Sequence, residues 1–386
     1  MKKIGIVALV ILLAMSMVFV GCAKKEETAS SGGTAPVKLT KVRIGLHANE
    51  GGTPLAAVAQ EKGMFAKYGI DPVFTIVESG PAEMTAMRAD NRTLDVGYIG
   101  AGVAWNAIDG GGADPLSFVF LDVLSNAEML LAKNGIFTDA NNNGKFENSE
   151  IFDGIKGKTV YAEVGTTAGS WFMNLVDLIN EGKADADKVW IASETSSYLA
   201  GYKAPNSNPA NKVTVINTSN TNIPAGMATG QMDIVAAYSP ATVTILKTNK
   251  DAVKIATTVD NFPPSKSFPS TWVASDAWIN ENPEVAQNFI NALYEAAIWR
   301  SGNLDEAMRI GEKVAQKPEG TFDPTNLVAP SQAQYEEWFA SPDAQGYQYM
   351  RALYDSKVGN VPEGNPVKSF EESFNDDLIV NAIKGL

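Results

Sequence analysis

The sequence has 386 residues, a length typical of about two domains. Its composition, 45% hydrophobic and 19% charged, excludes a disordered or fibrous chain and can fill two cores. The chain has 44 Asp and Glu against 31 Lys and Arg, and the resulting net charge of -13 argues against a nucleic-acid-binding groove as the main function. We interpret the single His and the single Cys as excluding His/Cys zinc sites, Ser-His-Asp and Cys-His nucleophile systems, and disulfides.

The N-terminal region has the pattern of a bacterial export signal. Two lysines precede an apolar run over residues 4–20, which ends at Cys22. Residues 19–22 resemble a lipoprotein box, in which a peptidase cuts before the Cys and a diacylglyceryl group is attached to its sulfur. We therefore predict a signal peptide over residues 1–21, lipidation at Cys22 and a flexible tether over residues 22–40. The alternatives are an uncleaved membrane anchor and a buried Cys.

The residues after the tether alternate between strand and helix patterns. Strands are predicted over residues 42–46, 73–77 and 94–100. A helix is predicted to begin at Pro54, with Thr53 as its N-cap, and another begins at residues 79–81. This succession predicts a parallel sheet with helices on its faces.

A second unit repeats the pattern. Its predicted strands are residues 158–162, 212–216 and 233–238, and its predicted helices are residues 171–179 and two that begin at Pro224 and Pro240. Beyond residue 271 the chain becomes helical, with helices predicted over residues 283–300 and 303–316. The sequence therefore predicts two α/β units followed by a helical C-terminal region.

Several runs in these units carry a family resemblance. Residues 54–70, 94–100, 155–160 and 282–286 resemble, in order and spacing, solute-binding proteins of ABC importers. The similarity is to the nitrate, sulfonate, taurine and thiamine-pyrimidine-precursor group, and it covers most of residues 42–316.

The resemblance implies a fold and a function. The fold is an α/β, two-lobed, periplasmic-binding-protein-like type II clamshell, each lobe a mostly parallel sheet flanked by helices. One lobe is expected at residues 42–130 plus 263–386 and the other at residues 131–262. The implied function is that of a monomeric, lipid-anchored receptor on the periplasmic or extracellular face. It closes on a small solute with a sulfonate-, taurine- or nitrate-like group and delivers it to a permease driven by a separate ATPase, without binding nucleic acid.

Independently of the family, residues 139–150 fit the twelve-residue calcium loop D-x-[DN]-x-[DN]-G-x5-E at every constrained position. The expected Ca²⁺ ligands are oxygens of Asp139, Asn141, Asn143, Lys145 (through its carbonyl), Glu147 (directly or through water) and Glu150. The alternative is a surface turn with solvated acids. Because no helix pair is predicted around the loop, we expect a structural role rather than calcium sensing.

The ligand pocket is expected beyond the carboxyl ends of the parallel strands. The candidate ligand-binding residues there are Asn49, Glu50, Gly51, Thr53, Ser79, Gly80, Gly100, Ala101, Thr166, Thr167, Ser170, Trp171, Tyr238 and Trp272. Gly-rich loops that lead into helix N-termini suit an anion. In contrast, Glu50, Glu78 and Glu163 would repel an anion and suit an ammonium or a ring N–H. His47 either contacts the ligand or lines the hinge, and core packing would explain the aromatic residues equally well.

Three other functions stay open. The protein could instead be a receptor for a vitamin or precursor such as a pyrimidine or a flavin, or a ligand sensor that docks to a membrane kinase. The third is an enzyme, since the thiamine-pyrimidine branch includes a synthase on this fold. That synthase depends on a Cys-rich segment and on His chemistry, so the single Cys and single His predict that this protein is not an enzyme.

Overall fold

Two six-stranded sheets flanked by helices form the frame of the protein. The computed structural model describes residues 39–385 apart from positions 90, 200, 264, 265 and 267. The predicted signal peptide, the lipidation site Cys22 and the tether up to residue 38 lie outside the described residues. Within the described part of the chain, no helix is both long and apolar enough to cross a membrane.

The strands of both sheets are short. They are β1 (Thr40–His47), β2 (Ile70–Val77), β3 (Val96–Ile99), β4 (Leu116–Ser125), β5 (Met129–Lys133), β6 (Thr159–Ala162), β7 (Trp190–Ser193), β8 (Lys212–Asn217), β9 (Ile234–Ala237), β10 (Ala252–Thr257), β11 (Phe268–Ser275) and β12 (Leu327–Val328).

Helices connect and cover these strands. They are α1 (Pro54–Glu61), α2 (Met64–Lys67), α3 (Gly80–Arg88), α4 (Asn148–Ile155), α5 (Thr167–Ile179), α6 (Ile223–Ala228), α7 (Ala241–Thr248), α8 (Thr258–Asn261), α9 (Asp276–Glu281), α10 (Pro283–Ser301), α11 (Leu304–Val314), α12 (Gln332–Trp338), α13 (Gln345–Lys357), α14 (Phe370–Ser373) and α15 (Asp376–Gly385). Turns of 3-10 helix occur at Ala101–Ala107, Ser196–Leu199, Pro209–Asn211, Pro324–Asn326 and Val358–Asn360.

Most strands of each sheet run in one direction. The first sheet has the order β12-β4-β11-β3-β1-β2, and only β11 and β12 oppose the other four strands. The second sheet has the order β10-β5-β9-β6-β8-β7, and only β5 opposes the other five. The predicted α/β class with two mostly parallel sheets is confirmed.

The chain passes between the sheets twice, after Ser125 and after Thr257. Strands β5 and β11, which follow these crossovers, pair antiparallel with β9 and β3 of the sheets they enter. The first crossover lies slightly earlier than expected, because Met129 and Leu130 already pair in the second sheet. We call residues 39–125 and 268–385 the first lobe and residues 129–257 the second lobe.

Local sequence explains where the helices next to the cleft begin. Pro54 stands at the first turn of α1, where the missing N–H costs no hydrogen bond, and residues 54–59 are all buried. Ser79 and Thr166 occupy the N-cap positions of α3 and α5 with extended backbones. Both helices therefore begin directly after a strand and its short loop, with their N-terminal ends on the side where the strands end.

Candidate functional site

A cavity of about 440 Å³ lies between the two lobes, within the size range of small-molecule sites. Its walls come from the segments that follow β1, β2 and β3 in the first lobe and β6, β8 and β9 in the second. It therefore lies at the carboxyl ends of parallel strands in both sheets, where the sequence placed the pocket.

Nine of the candidate ligand-binding residues line this cavity. They are Asn49, Glu50, Gly51, Ser79, Gly80, Gly100, Thr166, Thr167 and Tyr238. His47, Glu78 and Glu163, which the sequence also drew attention to, line it as well.

Two tryptophans proposed as cavity walls lie in the cores instead. The Trp171 side chain is fully buried, packs on Phe262 and donates from Nε1 to Thr258 Oγ1 at 3.0 Å. The Trp272 side chain is also fully buried and donates from Nε1 to Asp122 Oδ2 at 3.0 Å. Large aromatic residues bury more apolar area in a core than at a wet cleft, so these two positions are corrected to core residues.

Three smaller residues proposed for the pocket are also absent from its lining. Thr53 is buried, and its hydroxyl donates to the His47 carbonyl, which shapes the turn between β1 and α1. Ala101 is buried at the start of a 3-10 helix, and Ser170 lies one turn into α5. Their proximity in sequence to the strand ends did not place their side chains in the cavity.

Glu50 joins the two lobes across the cavity. One carboxylate oxygen accepts a hydrogen bond from the Ser239 hydroxyl in the second lobe, and the other accepts one from Asn326 Nδ2 in the first lobe at 2.7 Å. The side chain is almost completely buried, and this burial raises the pKa of Glu50 from 4.5 to about 7. Nearby Asp323 acts in the same direction.

A second acidic group belongs wholly to the second lobe. Glu163 Oε2 accepts hydrogen bonds from the Asn220 backbone N–H at 3.1 Å and from the Tyr238 hydroxyl at 3.2 Å. The Asn220 side chain pairs with the backbone of Tyr238 through both its amide nitrogen and its oxygen. This network fixes the carboxylate and the phenol against the cavity.

Sequence reasoning missed a fourth cavity carboxylate, Glu128. It lies in the first crossover, is buried, and accepts a hydrogen bond from the Ser125 hydroxyl at 2.7 Å. Burial raises the pKa of Glu128. Its position three residues beyond the end of β4 was the available signal, but β4 itself was not predicted.

Basic side chains are few in the lining. His47 Nε2 lies 2.7 Å from Glu83 Oε2, and Glu83 is fully buried behind it. Lys317 lies at the exposed edge of the cavity. Glu78 is likewise exposed, so the buried part of the lining is dominated by Glu50 and Glu128.

The lobes also touch through glycine backbone. Gly102 in the first lobe donates its N–H to Thr167 Oγ1 in the second at 3.4 Å. A Cβ on Gly102 would lie 2.7 Å from the Thr166 carbonyl oxygen and closer still to Thr167 N. With the Glu50–Ser239 bond, this contact makes the described arrangement a closed one.

The predicted calcium loop lies outside the cavity and leads directly into α4. Gly144 has a φ of +77°, as the predicted sharp turn requires. Asp139 accepts the N–H of Gly144 at 2.8 Å, and Glu150 accepts those of Ala140 and Glu147, each at 2.8 Å. In the part of the chain that the structure describes, no three His, Cys, Asp or Glu side chains are grouped so that they could hold a metal ion.

The loop is also tied to the second crossover. Lys145 Nζ lies 2.7 Å from Asp260 Oδ1 in α8, and Asn261 Nδ2 donates to the Phe146 carbonyl at 3.0 Å. The pair with Lys145 lowers the pKa of Asp260.

The chain belongs to the NMT1-like family, whose pattern matches residues 35–315. A protein of Brucella abortus (strain 2308), whose name marks it as a candidate binding protein, is 27% identical over 272 residues, which are 70% of each chain.

Solved structures with this fold include two periplasmic binding proteins. The nitrate-binding protein NrtA of Synechocystis PCC 6803 matches with a TM-score of 0.59 at 15% identity, over 90% of this chain and 89% of its own. The aliphatic sulphonate-binding protein SsuA of Escherichia coli matches with a TM-score of 0.55 at 13% identity, over 86% of this chain and 91% of its own. At these identities the likeness establishes the fold.

The same fold also occurs in an enzyme. The desulfurization enzyme DSZB matches with a TM-score of 0.54 at 10% identity, over 89% of this chain and 99% of its own. The fold is thus used for both binding and catalysis, and function has to be argued from the site.

Proposed function

We propose that the protein is the solute-binding receptor of an ABC importer, which closes its lobes on a small organic molecule and presents it to a membrane permease powered by an ATPase. The observation that carries this proposal is the cavity of about 440 Å³ between two lobes that contact each other through Gly102 and Thr167 and through Glu50 and Ser239. A ligand bound there contacts both lobes and stabilises the closed form, a hinge transition of known type.

The relatives support the receptor class. Two proteins with this fold are named as periplasmic binding proteins for nitrate and for aliphatic sulphonates. The sulfonate-, taurine- or nitrate-like solute expected from the sequence would use the N-terminal ends of α3 and α5, where Ser79, Thr166 and Thr167 line the cavity. A pyrimidine or flavin solute, and a sensor role, would use the same cavity.

We propose that Cys22 carries the lipid that anchors this receptor to the outer face of the cell membrane. The support is the sequence pattern over residues 1–22 and the polar composition of the segment that follows it.

We also propose that residues 139–150 bind Ca²⁺ in a structural role. The donor set is made of oxygens only, as calcium prefers, and Gly144 already has the left-handed backbone that the turn needs. Asp139 and Glu150 accept backbone N–H groups of the loop, and ion binding would bring together carboxylates that the described structure does not group in threes. The bound ion would stiffen the loop where it contacts α8.

A ligand screen that also measures closure tests the receptor function. Thermal unfolding should be followed over sulfonates, nitrate, amino acids, pyrimidines and flavins, since a solute that binds only the folded protein raises the midpoint. Small-angle scattering should then show a smaller radius of gyration with the solute, and deletion of the gene should reduce its uptake by the host. Binding without compaction and without an uptake defect would contradict the receptor function.

A further inference from the structure

The charge of the cavity lining limits what the cavity can hold. Its carboxylates are those of Glu50, Glu78, Glu128 and Glu163, and they come from both lobes and from the first crossover. The basic side chains of the lining are His47, which is paired with Glu83, and Lys317 at the exposed edge. Among the described lining residues, no buried Lys or Arg offsets these acids.

Two tyrosines share the cavity lining with these acids. Glu163 and Glu128 both lie close enough to Tyr238 to help raise its pKa, after burial as the largest cause. Burial is also the largest cause that raises the pKa of Tyr98, which lines the first-lobe side of the cavity, and Asp122, Glu128 and Glu50 act in the same direction. The two phenols and the three glutamate carboxylates all belong to the lining of the one cavity. Aromatic faces and carboxylates together are what protein sites use to hold organic cations.

We propose that the solute carries a positively charged nitrogen, as a protonated amine or an amidinium, which binds between Glu128 and Glu163 beside Tyr238. This inference rests on the proposed receptor function and names the class of its solute. A buried carboxylate without a cation is costly, and a cationic ligand supplies the missing partner when the lobes close.

The features that favour an anion are weaker. The N-terminal ends of α3 and α5 each present roughly half a positive charge, whereas each ionised carboxylate is a full negative charge. The end of α5 is also covered by the backbone of Gly102 in the closed form. An anionic solute would therefore meet more negative than positive charge within the described lining.

The proposal also predicts how the affinity for the solute depends on pH. Burial raises the pKa of Glu50 to about 7, so part of the Glu50 population is protonated near neutral pH, and burial also raises the pKa of Glu128. A cation binds better to the ionised carboxylates, and its affinity should therefore rise from pH 6 to pH 8. The other titratable groups facing this region are Glu78, Glu163, His47 with Glu83, Lys317, Asp323, Tyr98 and Tyr238. An anion would show the opposite trend.

The test uses the full chain and compares ligands of similar shape but opposite charge. Binding is measured by calorimetry. Benzamidine against benzoate, and butylamine against butanesulfonate, differ mainly in the sign of the charge. We expect the cations to raise the unfolding midpoint, and the dissociation constant of the better one to rise at least tenfold in Glu128→Gln and in Glu163→Gln. The matched control Glu61→Gln removes an exposed acid on α1 and should leave it unchanged.

Three results would contradict the proposal of a cationic solute. These are binding of benzoate or butanesulfonate only, no stabilisation by any cation, and a cation affinity that neither Gln substitution changes. Anion binding accompanied by compaction in solution would agree with the receptor function but would exclude a cationic solute. Cation binding without compaction would count against the receptor function instead. The unfolding midpoint of each Gln variant is also measured without ligand. A midpoint close to that of the wild type shows that weaker binding comes from lost contacts with the ligand and not from misfolding.

Discussion

The Glu50 carboxylate accepts a hydrogen bond from the Ser239 hydroxyl, and these two residues belong to different lobes. This bond exists only when the lobes are together, so it contributes to closure and not to the folding of either lobe. Asn326 holds the other carboxylate oxygen and thereby orients Glu50 toward the second lobe.

Ser239→Ala should weaken solute binding. In the closed form the substitution leaves a buried carboxylate oxygen without its donor, at a cost of about 1–3 kcal/mol, whereas in the open form water replaces the hydroxyl. We expect the dissociation constant of the solute found by the screen to rise about tenfold, measured by calorimetry. Ser356→Ala removes a serine that donates to the Leu353 carbonyl away from the cavity, and it should bind as the wild type does. Equal affinity of both variants would show that this bond does not contribute to closure.

Gly102→Ala should block closure while leaving both lobes folded. The new methyl group would collide with the backbone of Thr166 and Thr167 in the other lobe, and backbone cannot move aside as a flexible side chain can. Affinity should fall at least tenfold, and scattering should show an expanded form even with solute. Gly302→Ala is the control, because a Cβ there lies 3.9 Å from its nearest neighbour. Normal compaction of Gly102→Ala would contradict the closed arrangement.

Glu50 should make stability depend on pH. Its pKa is 4.5 in the unfolded chain and about 7 in the folded one, so between these values the folded state binds the extra proton and loses stability as the pH rises. Below pH 4.5 both states are protonated and the effect vanishes. Chemical denaturation of wild type and Glu50→Gln at pH 5 and pH 8 should show the wild type losing up to about 3 kcal/mol relative to the variant. A difference that stays constant with pH would refute this assignment.

Calcium should stabilise the protein through residues 139–150. Titration at roughly 10⁻⁴ to 10⁻³ M Ca²⁺ should release heat and raise the unfolding midpoint, and chelation should reverse both. Asp139→Ala removes a carboxylate ligand and should abolish both effects, while the exposed control Asp187→Ala should keep them. Solute affinity should change little, because the loop lies outside the cavity lining. A wild-type protein that takes up no calcium would identify the loop as a surface turn.

Cys22→Ser should release the protein from the membrane fraction or leave its signal peptide uncleaved. The reason is that a serine hydroxyl cannot accept the diacylglyceryl group that the lipoprotein box directs to a thiol. Fractionation and intact mass measure the two outcomes. Unchanged mass and membrane attachment would mean that the apolar run over residues 4–20 is itself the anchor.

Sequence patterns located the elements whose partners are close in the chain. Strands β1, β2 and β3 alternate with helices and pair with one another, so local periodicity identified them. Strand β11 lies between β3 and β4 although the chain reaches it only after the whole second lobe, and no local signal reports such pairing. Residues Leu116–Val123 of β4 are all buried, so the strand lacks the alternation that would have marked it.

The same distinction applies to the cavity. The rule that ligands bind at strand ends found Glu50, Ser79 and Thr167 because each lies between the end of a parallel strand and the first turn of the next helix. It did not find Glu128 or Asn326, which reach the cavity from a crossover and from the C-terminal region. A sequence cannot report such long-range convergence without the topology of the two sheets.

The glycine contact at Gly102 has a consequence for selectivity by size. Since backbone meets backbone there, the distance of closest approach between the lobes is set by the protein and not by its cargo. Apart from its exposed edge at Glu78 and Lys317, the space between the closed lobes is therefore limited to about 440 Å³. A molecule that exceeds it holds the two lobes apart, however favourable its individual contacts, and never produces the shape that a permease would have to recognise.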